Sequence, residues 1–544
     1  MQKNSLSLAE HIITSPLLRW TWISLATPSY TYPLVEHRPL DIETAKDMIN
    51  GRYLLAGRLV ETNSHSPFAI EKVSEQWKKR LDEFSWLRHF SASDNIEHNK
   101  FARVLVLDWV GRNSKFNNNS WSPSATSLRL LNWLRHLETI KNGASKKQID
   151  IIFQSISTQL TSLKSRMKFM QNPLDILYTQ MALLGSSLSK KSDGRKISRR
   201  LLRLQNSLDQ QIDKDGLHLS RNALLQYELL SELFSLKQTL AKSNFHLNSA
   251  DENFSQTIAK MHLALDSLTL STGELAYFNG AGQIATDLFV SLLSQGERVK
   301  KTTKTLGGYG ILTNNQSIVI ADSGIVPPKV YSDKSHASAL AFEFSNGRDL
   351  IIGNCGAMVF DTDNKQNSFR LGRAHSGIII NNHCSAKIIK RGKYANHLYN
   401  KKKLNIPQIS FNEDISSMIL TSSDFVKTCG VKITREVSLI DNGNSLVGID
   451  KISAINNKTT NGIFEILFHL APSSFISQSD NGEIIYIILQ SGIKYSFLFE
   501  GGEATIKDTV RNTTYFGALP SAKIVIKSKL KNTNEVSWVF TRQQ

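Results

Sequence analysis

"SLLSQGERVKKTTKTLGGYG", from Ser291 to Gly310, is where the chain changes its periodicity. Before it, apolar residues recur every third or fourth position, as on one face of a helix; after it, they alternate, as on one face of a strand. In "SATSLRLLNWLRHLETI", Leu128, Leu131, Leu134 and Leu137 fall on a single helical face. "IDIIFQSISTQLTSLKSRMKFM", "QNPLDILYTQMALLGSSL", "ISRRLLRLQNSLDQQI", "NALLQYELLSELFSLKQTL" and "TIAKMHLALDSLTL" follow the same rule, with short breaks rich in Gly, Asn, Ser or Lys. Consecutive amphipathic helices with short links must stack as hairpins to bury their faces. No fixed-length repeat is present, so the pattern predicts an irregular barrel of helix pairs rather than a regular solenoid.

Past the switch, "NNQSIVIADSG", "GIIINN", "CGVKITREVSLIDNGNSLVGIDKI" and "NGEIIYIILQSGIKYSFLFEGG" are alternating or β-branched runs, divided by Asn-Asn, Asp-Asn-Gly and Gly-Gly turns. "AKIVIKSKLKNTNEVSWVFTRQQ" reads as a final hairpin-like pair. Many strands without helices predict a sandwich or layered antiparallel sheets. The reading is thus an α+β multidomain chain, helical over residues 1–297 and antiparallel β over 298–544.

Composition narrows the partners. The 544 residues are too many for one core. The 65 Lys and Arg against 47 Asp and Glu give a formal charge of +18, which suits nucleic acid, an anionic glycan or an anionic membrane surface, or is general surface basicity. Cys355, Cys384 and Cys429 form no C-x-x-C, which argues against a disulfide framework or zinc knuckle and suits a reducing compartment. The start, "MQKNSLSLAEHIITSPLLRWTWISLATPSY", lacks the basic, apolar and small-residue order of a secretion signal, so the expected compartment is the cytoplasm. No apolar run reaches the roughly 18 residues of a membrane span. "GGYG" lacks the context of a phosphate loop, and "SKKSDGRKISRR" reads as a solvated loop.

"DGLHLSRNALLQYELL", Asp215 to Leu230, looks like the rim of a site: a glycine turn carrying His218 and Arg221, then a helix mouth suited to anions. With "SWLRHF", "SWSPSATSLRLLNWLRH", "GELAYFNG", "IADSGIVPP", "SHASALAFEFS", "LIIGNCG", "FRLGRAHSGIIINN" and "FEILFHLAP" in this order, the chain resembles the heparinase II/III family of polysaccharide lyases from about Leu34 to its end. That resemblance implies an N-terminal (α/α) toroid, or incomplete helical barrel, and a C-terminal antiparallel β-sandwich. It also implies β-elimination on a uronate-containing glycan. A base takes the C5 proton, the O4 link leaves, and the neighbouring carboxylate must be neutralised. An acidic polysaccharide becomes the expected partner and nucleic acid is set aside. The periplasm or cell envelope becomes the alternative compartment.

The resemblance assigns roles residue by residue. Asn172 matches the carboxylate-neutralising asparagine, with Pro173 where the family has histidine; equally, Asn172 caps a helix opening at Pro173. Asp215, Gly216, His218 and Arg221 follow the family's D-G-G-H-F-E-R-S-P-M-Y-H pattern, but Leu225 and Gln226 stand at its tyrosine and histidine. Tyr227 lies two places beyond Leu225, turned away by about 200°. In the R-x-x-A-H-S-T strand, His375 is the surviving base or charge stabiliser and Arg373 a ligand for carboxylate or sulfate, with His336 beside them. The family's H-D-G-Y becomes Ser422 to Phe425, Ile433 replaces the histidine of G-x-x-H-E-R, and Ala471 the second histidine of F-H-L-H-P. The catalytic expectation rests on Asn172 and His375. Substrate contacts are expected from Trp121, Arg129, Trp133, His218, Arg221, His336 and Arg373, while Trp86 and Trp109 suit a core. No cofactor is expected: zinc occurs in some relatives, but His336, His375, His383 and His469 lack a ligand spacing. The expected function is a lyase-like protein acting on or binding acidic glycan. The alternative is a degenerate glycan-binding or scaffold protein of envelope polysaccharide metabolism.

Overall fold

The computed structural model describes residues 8–23, 28–93, 95–190, 192–243, 249–358, 367–400, 406–412, 414–455, 462–513 and 517–543. The chain forms two compact units. One holds residues 1–212, 228–259 and 290–295; the other holds 213–227, 260–289 and 296–544.

The first unit is helical. Its helices begin where the sequence supplies caps. Ser145 and Gln148 form a reciprocal capping box ahead of Lys146–Arg166. Asn172 accepts the Leu174 N–H ahead of Pro173–Leu188. The helix Gly194–Asp209 is amphipathic and buries Ile197, Leu201, Leu204 and Leu208 on one side. Pro173–Leu188 is buried all round from Leu177 onward and packs against both Pro123–Arg135 and Gly194–Asp209. Gly185 permits that approach, since a Cβ there would lie 2.9 Å from Leu131 Cδ2. Trp22, Phe84, Trp86, Trp109, Trp121 and Trp133 cluster beside these helices, edge to face where Trp133 meets Phe84 and Trp109 and tilted in the other pairs.

The second unit is dominated by antiparallel strands: β1 (Lys304–Leu306), β2 (Tyr309–Asn314), β3 (Ser317–Asp322), β4 (Phe342–Asn346), β5 (Asp349–Ile352), β6 (Ile378–Ile380), β7 (Gln408–Phe411), β8 (Ser416–Ser422), β9 (Val431–Ile440), β10 (Ser445–Ala454), β11 (Ile463–His469), β12 (Phe475–Gln478), β13 (Ile484–Ile488), β14 (Lys494–Glu500), β15 (Glu503–Asn512), β16 (Ala518–Lys529) and β17 (Thr533–Arg542). They form a five-stranded sheet β1-β2-β3-β4-β5, a four-stranded sheet β15-β16-β11-β6 and an eight-stranded sheet β7-β8-β9-β10-β17-β14-β13-β12. One apolar core joins all three, including Phe342, Phe344, Ile433, Val437, Ile466, Phe468, Ile526 and Trp538. The architecture is therefore a helical N-terminal domain followed by a β-sandwich.

The turn residues act as their chemistry requires. Asn442 adopts a left-handed φ of 54° in the β9–β10 hairpin. The end of the chain differs from the sequence expectation. β16 and β17 are consecutive but unpaired: β16 lies between β15 and β11, and β17 between β10 and β14. Leu530, buried between them, carries the chain from one layer of the sandwich to the other. Alternation reports which face of a strand is buried, not which neighbour it pairs with.

At the centre of the sandwich, Arg435 and Asp450 form a fully buried bidentate pair, at 2.6 and 2.8 Å. Trp538 Nε1 donates to Asp450 at 2.9 Å, and the Trp538 ring stacks on Phe342 with 3° between planes.

Candidate functional site

The glycine turn is built from its own polar groups. Asp213 Oδ1 accepts the N–H groups of Asp215 and Leu217, at 2.9 and 2.8 Å. Gly216 takes a φ of 87°, and a Cβ there would meet the Lys260 carbonyl oxygen at 2.4 Å. Asn222 then caps the helix Ala223–Lys242, accepting from Leu224 and Leu225 at 2.9 and 3.2 Å. Gln226 is fully buried and staples the turn. Its Oε1 accepts the His218 N–H at 2.9 Å, and its Nε2 donates to the carbonyls of Gly216 (2.7 Å) and Met261 (2.9 Å). An imidazole cannot serve three such groups, because it has only two ring nitrogens. Leu225 is partly buried beside it, and the Tyr227 ring packs against Phe289.

His218 and Arg221 are interior residues. His218 Nδ1 accepts the Ser220 N–H at 3.0 Å, its ring edge meets Tyr331, and burial pushes its pKa down to about 3. Arg221, at a φ of 57°, sends Nε to the Gly307 carbonyl (2.7 Å), Nη1 to the Ile325 carbonyl and Nη2 to Asp322 (2.8 Å). Its guanidinium lies 4.1 Å from the Tyr309 ring centre. These contacts pin the glycine turn to β2 and β3.

His336 and His375 come together as expected. His336 Nδ1 and His375 Nε2 are 2.9 Å apart. The partners fix the tautomers. Gly280 N–H donates to His336 Nε2 at 3.1 Å, so His336 carries its proton on Nδ1 and donates it to His375 Nε2; His375 Nδ1–H then ends on the Leu371 carbonyl at 2.9 Å. All four ring nitrogens are used, and the rings are 4% and 1% exposed. Burial pushes His375 down to about 4, despite the Leu371 carbonyl. Burial and the neighbouring His375 hold His336 well below the usual imidazole range. The pair is a neutral, closed relay. A proton can enter it only if one of these hydrogen bonds breaks.

Asn279 links this relay to Arg221. It accepts the His336 N–H at 3.2 Å and donates to the Tyr309 hydroxyl at 2.7 Å, and that hydroxyl donates to the Arg221 carbonyl at 2.7 Å. Asp322 also accepts from Ser338 at 2.6 Å. Sequence reasoning gave no role to Gln226, Asn279, Tyr309 or Asp322. Asn279 and Asp322 do fall inside "GELAYFNG" and "IADSGIVPP", so the motifs were visible and their connections were not.

Arg373 differs from these: its side chain is 47% exposed, and Nη2 pairs with Glu465 at 2.7 Å. Nearby, His469 Nε2 donates to the Arg373 carbonyl at 3.1 Å while Nδ1 faces the Thr509 hydroxyl at 3.0 Å and the Cys355 thiol at 3.6 Å. Burial pushes His469 down to about 3 and raises the thiol. Among the described residues, no group of three His, Cys, Asp or Glu is arranged to hold a metal. The imidazoles of His336, His375 and His469 are spent on protein partners, so this donor set does not fit zinc.

In the helical unit, Asn172 is exposed at its helix cap. Trp121, Arg129 and Trp133, expected to touch substrate, lie inside the unit at 4%, 0% and 0% exposure. Arg129 stacks 3.8 Å over Trp109 and donates to Gln159, Thr126 and the carbonyls of Asp82 and Ser120. As placed, it meets only protein, and burial pushes it down to about 9. Helical spacing places Arg129 and Trp133 on one face but does not give the direction in which it points. Asp175, one turn beyond Asn172, carries a carboxyl that burial raises to about 6, against the lowering pull of Lys79 and Arg166.

Residues 303–539 match the family model "Heparinase II/III-like, C-terminal". Over 523 residues the chain is 22% identical to "FtsZ-localized protein C" of Caulobacter vibrioides, covering 93% of this chain and 89% of that one. Among solved structures, heparinase III superposes with a TM-score of 0.72 at 13% identity, covering 96% of this chain and 88% of that one. A mutant of the heparan sulfate lyase HepC from Pedobacter heparinus gives a TM-score of 0.62 at 13% identity, covering 97% and 87%. Helical domain and sandwich together have the fold of these lyases, and residues 303–539 carry the heparinase II/III-like C-terminal domain.

Proposed function

We propose that this protein binds an acidic, uronate-containing glycan on a lyase fold without cleaving it. The observation that carries this reading is the closed relay Gly280–His336–His375–Leu371, in which the surviving family histidines have no nitrogen left for a sugar proton. Leu225 and Gln226, at the family's acid and base positions, supply no replacement.

Binding is supported by a pair of lysines on the four-stranded sheet, Lys507 exposed and Lys523 partly so. Lys507 on β15 and Lys523 on β16 are direct cross-strand partners, an arrangement that repels unless an anion sits over it. Neither makes an ion pair among the described residues, and Arg373 stands close to Lys523. Burial, with Arg373 and Lys507 beside it, lowers the Lys523 ammonium. Carboxylate or sulfate groups along a glycan would relieve that repulsion.

The test offers a panel of heparan-type, hyaluronan-type and alginate-type polymers to the full chain. The ultraviolet absorbance of an unsaturated uronate product and retention on immobilised polymer are followed together. Retention that weakens with salt, without product, is expected, and Lys523→Ala should reduce retention by about threefold to tenfold. Product formation overturns the non-catalytic reading; absence of retention overturns the binding one.

A second reading follows from the relative named for its localisation with FtsZ. On that reading the lyase fold is a scaffold placed with FtsZ, and a fluorescent fusion of this chain should follow FtsZ in dividing cells. A uniformly distributed signal would remove it.

A further inference from the structure

The helical unit contains a pocket of about 920 Å³, within the range of small-molecule sites. It lies far from Asn172. Asn172 caps the N-terminal end of Pro173–Leu188, whereas Leu188 and Lys190, at the other end, line the pocket. Sixteen helical residues separate the two ends by about 24 Å. Arg135 and His136, at the C-terminal end of Pro123–Arg135, line it as well.

Its floor is rigid. Arg38 holds Glu36 with two hydrogen bonds of 2.8 and 2.6 Å, and Arg135 holds Glu232 at 2.6 Å. Burial pushes the Glu36 carboxyl up, but Arg38 and Arg135 outweigh it and keep the group ionised. His136 donates from Nε2 to Glu36 at 3.2 Å, so its Nδ1 accepts the Ser91 hydroxyl at 2.8 Å. The Thr139 hydroxyl then donates to Ser91 at 2.7 Å, leaving its oxygen able to accept.

Two lining groups remain unspent. Asn99 is 4% exposed, lines the pocket, and its amide makes no hydrogen bond among the described residues. That amide faces the pocket with its donor and acceptor both free of protein partners, and a ligand that supplies an acceptor and a donor can take the place of water there. Lys190, at the mouth, rests 4.5 Å from the Tyr30 ring centre and has no carboxylate partner among the described residues. Burial, with Lys196 and Arg200 nearby, pushes its ammonium down to about 8. Lys242 adds an exposed cation at the rim, opposed by one exposed carboxylate, Glu138. Tyr32, Leu34 and Leu40 give an apolar wall for the face of a ring.

We propose that this pocket is a second binding site, for a small acidic sugar whose hydroxyls pair with Asn99 and Thr139 and whose acid group pairs with Lys190. It shares no residue with the sheet face assigned to polymer, so either reading can fail alone.

The full chain is titrated calorimetrically with glucuronate, glucose 1-phosphate and glucose, up to concentrations of about 1 mM. At least one acid is expected to bind about tenfold more tightly than glucose. Tighter glucuronate assigns a carboxylate sugar, and tighter glucose 1-phosphate a phosphorylated one. Asn99→Ala and Lys190→Met should each weaken that acid by about tenfold, with the melting temperature of the mouth variant Lys190→Met unchanged. The proposal is overturned if neither acid binds, if glucose binds equally well, or if binding survives Lys190→Met.

Discussion

Gln226 shows how one side chain can hold a rim together. It satisfies the His218 N–H and the carbonyls of Gly216 and Met261 with one amide. Gln226→Leu leaves three buried backbone groups unpaired and should cost about 2–4 kcal/mol in urea unfolding. Gln226→His, the residue that the resembled pattern carries here, should still cost about 1–2 kcal/mol. Equal stability of all three proteins would refute the staple. Asp175 behaves in the opposite sense. Its folded pKa, about 6, lies above the ordinary 3.8, so its contribution to stability is greatest below about pH 4 and is lost as pH rises through 6. Asp175→Asn should match the parent near pH 4 and exceed it by about 1–3 kcal/mol above pH 6. A variant less stable than the parent at pH 7 would contradict this. The sequence displayed His336, His375 and Arg221 clearly enough to match a family pattern. It could not display their closure, because the partners that close them are backbone groups, and Gly280, Gly307 and Ile325 are distant in the chain.

At the scale of elements, the change of periodicity between Ser291 and Gly310 separated helices from strands, since 3.6 and 2 are distinct repeats that burial imposes directly. Pairing was harder to read. "AKIVIKSKLKNTNEVSWVFTRQQ" looks like a hairpin, yet its halves stand in different sheets. The ion pair joining β9 to β10 illustrates the cost of buried charge. Removing one partner, as in Arg435→Met or Asp450→Leu, should destabilise by about 3–5 kcal/mol, because the other charge is stranded in the core. Replacing both should recover most of that loss. A double variant as unstable as the sum of the single ones would show that the two residues are not coupled.

Across the whole molecule, the formal charge of +18 suited an anionic partner or general surface basicity and placed no contact. The structure divides the charge into spent cations, such as Arg129, Arg221 and Arg435, and unspent ones, such as Lys507, Lys523 and Lys190. Buried histidines set the acid limit of the fold. His218, His375 and His469 are depressed to about 3, 4 and 3, so each contributes stability that is present above the ordinary 6.5 and is lost as pH falls toward the folded value. The urea midpoint should drop steadily between about pH 6.5 and 4.5; a flat profile there would show that these rings are not held neutral.

The central claim, that the family's proton chemistry is closed at the histidine pair, is tested most directly by NMR titration of the His336 and His375 imidazoles in the full chain. Both rings should remain neutral, with the proton on Nδ1, down to about pH 4. A ring that titrates near the ordinary 6.5, or that carries its proton on Nε2 at neutral pH, would contradict the account.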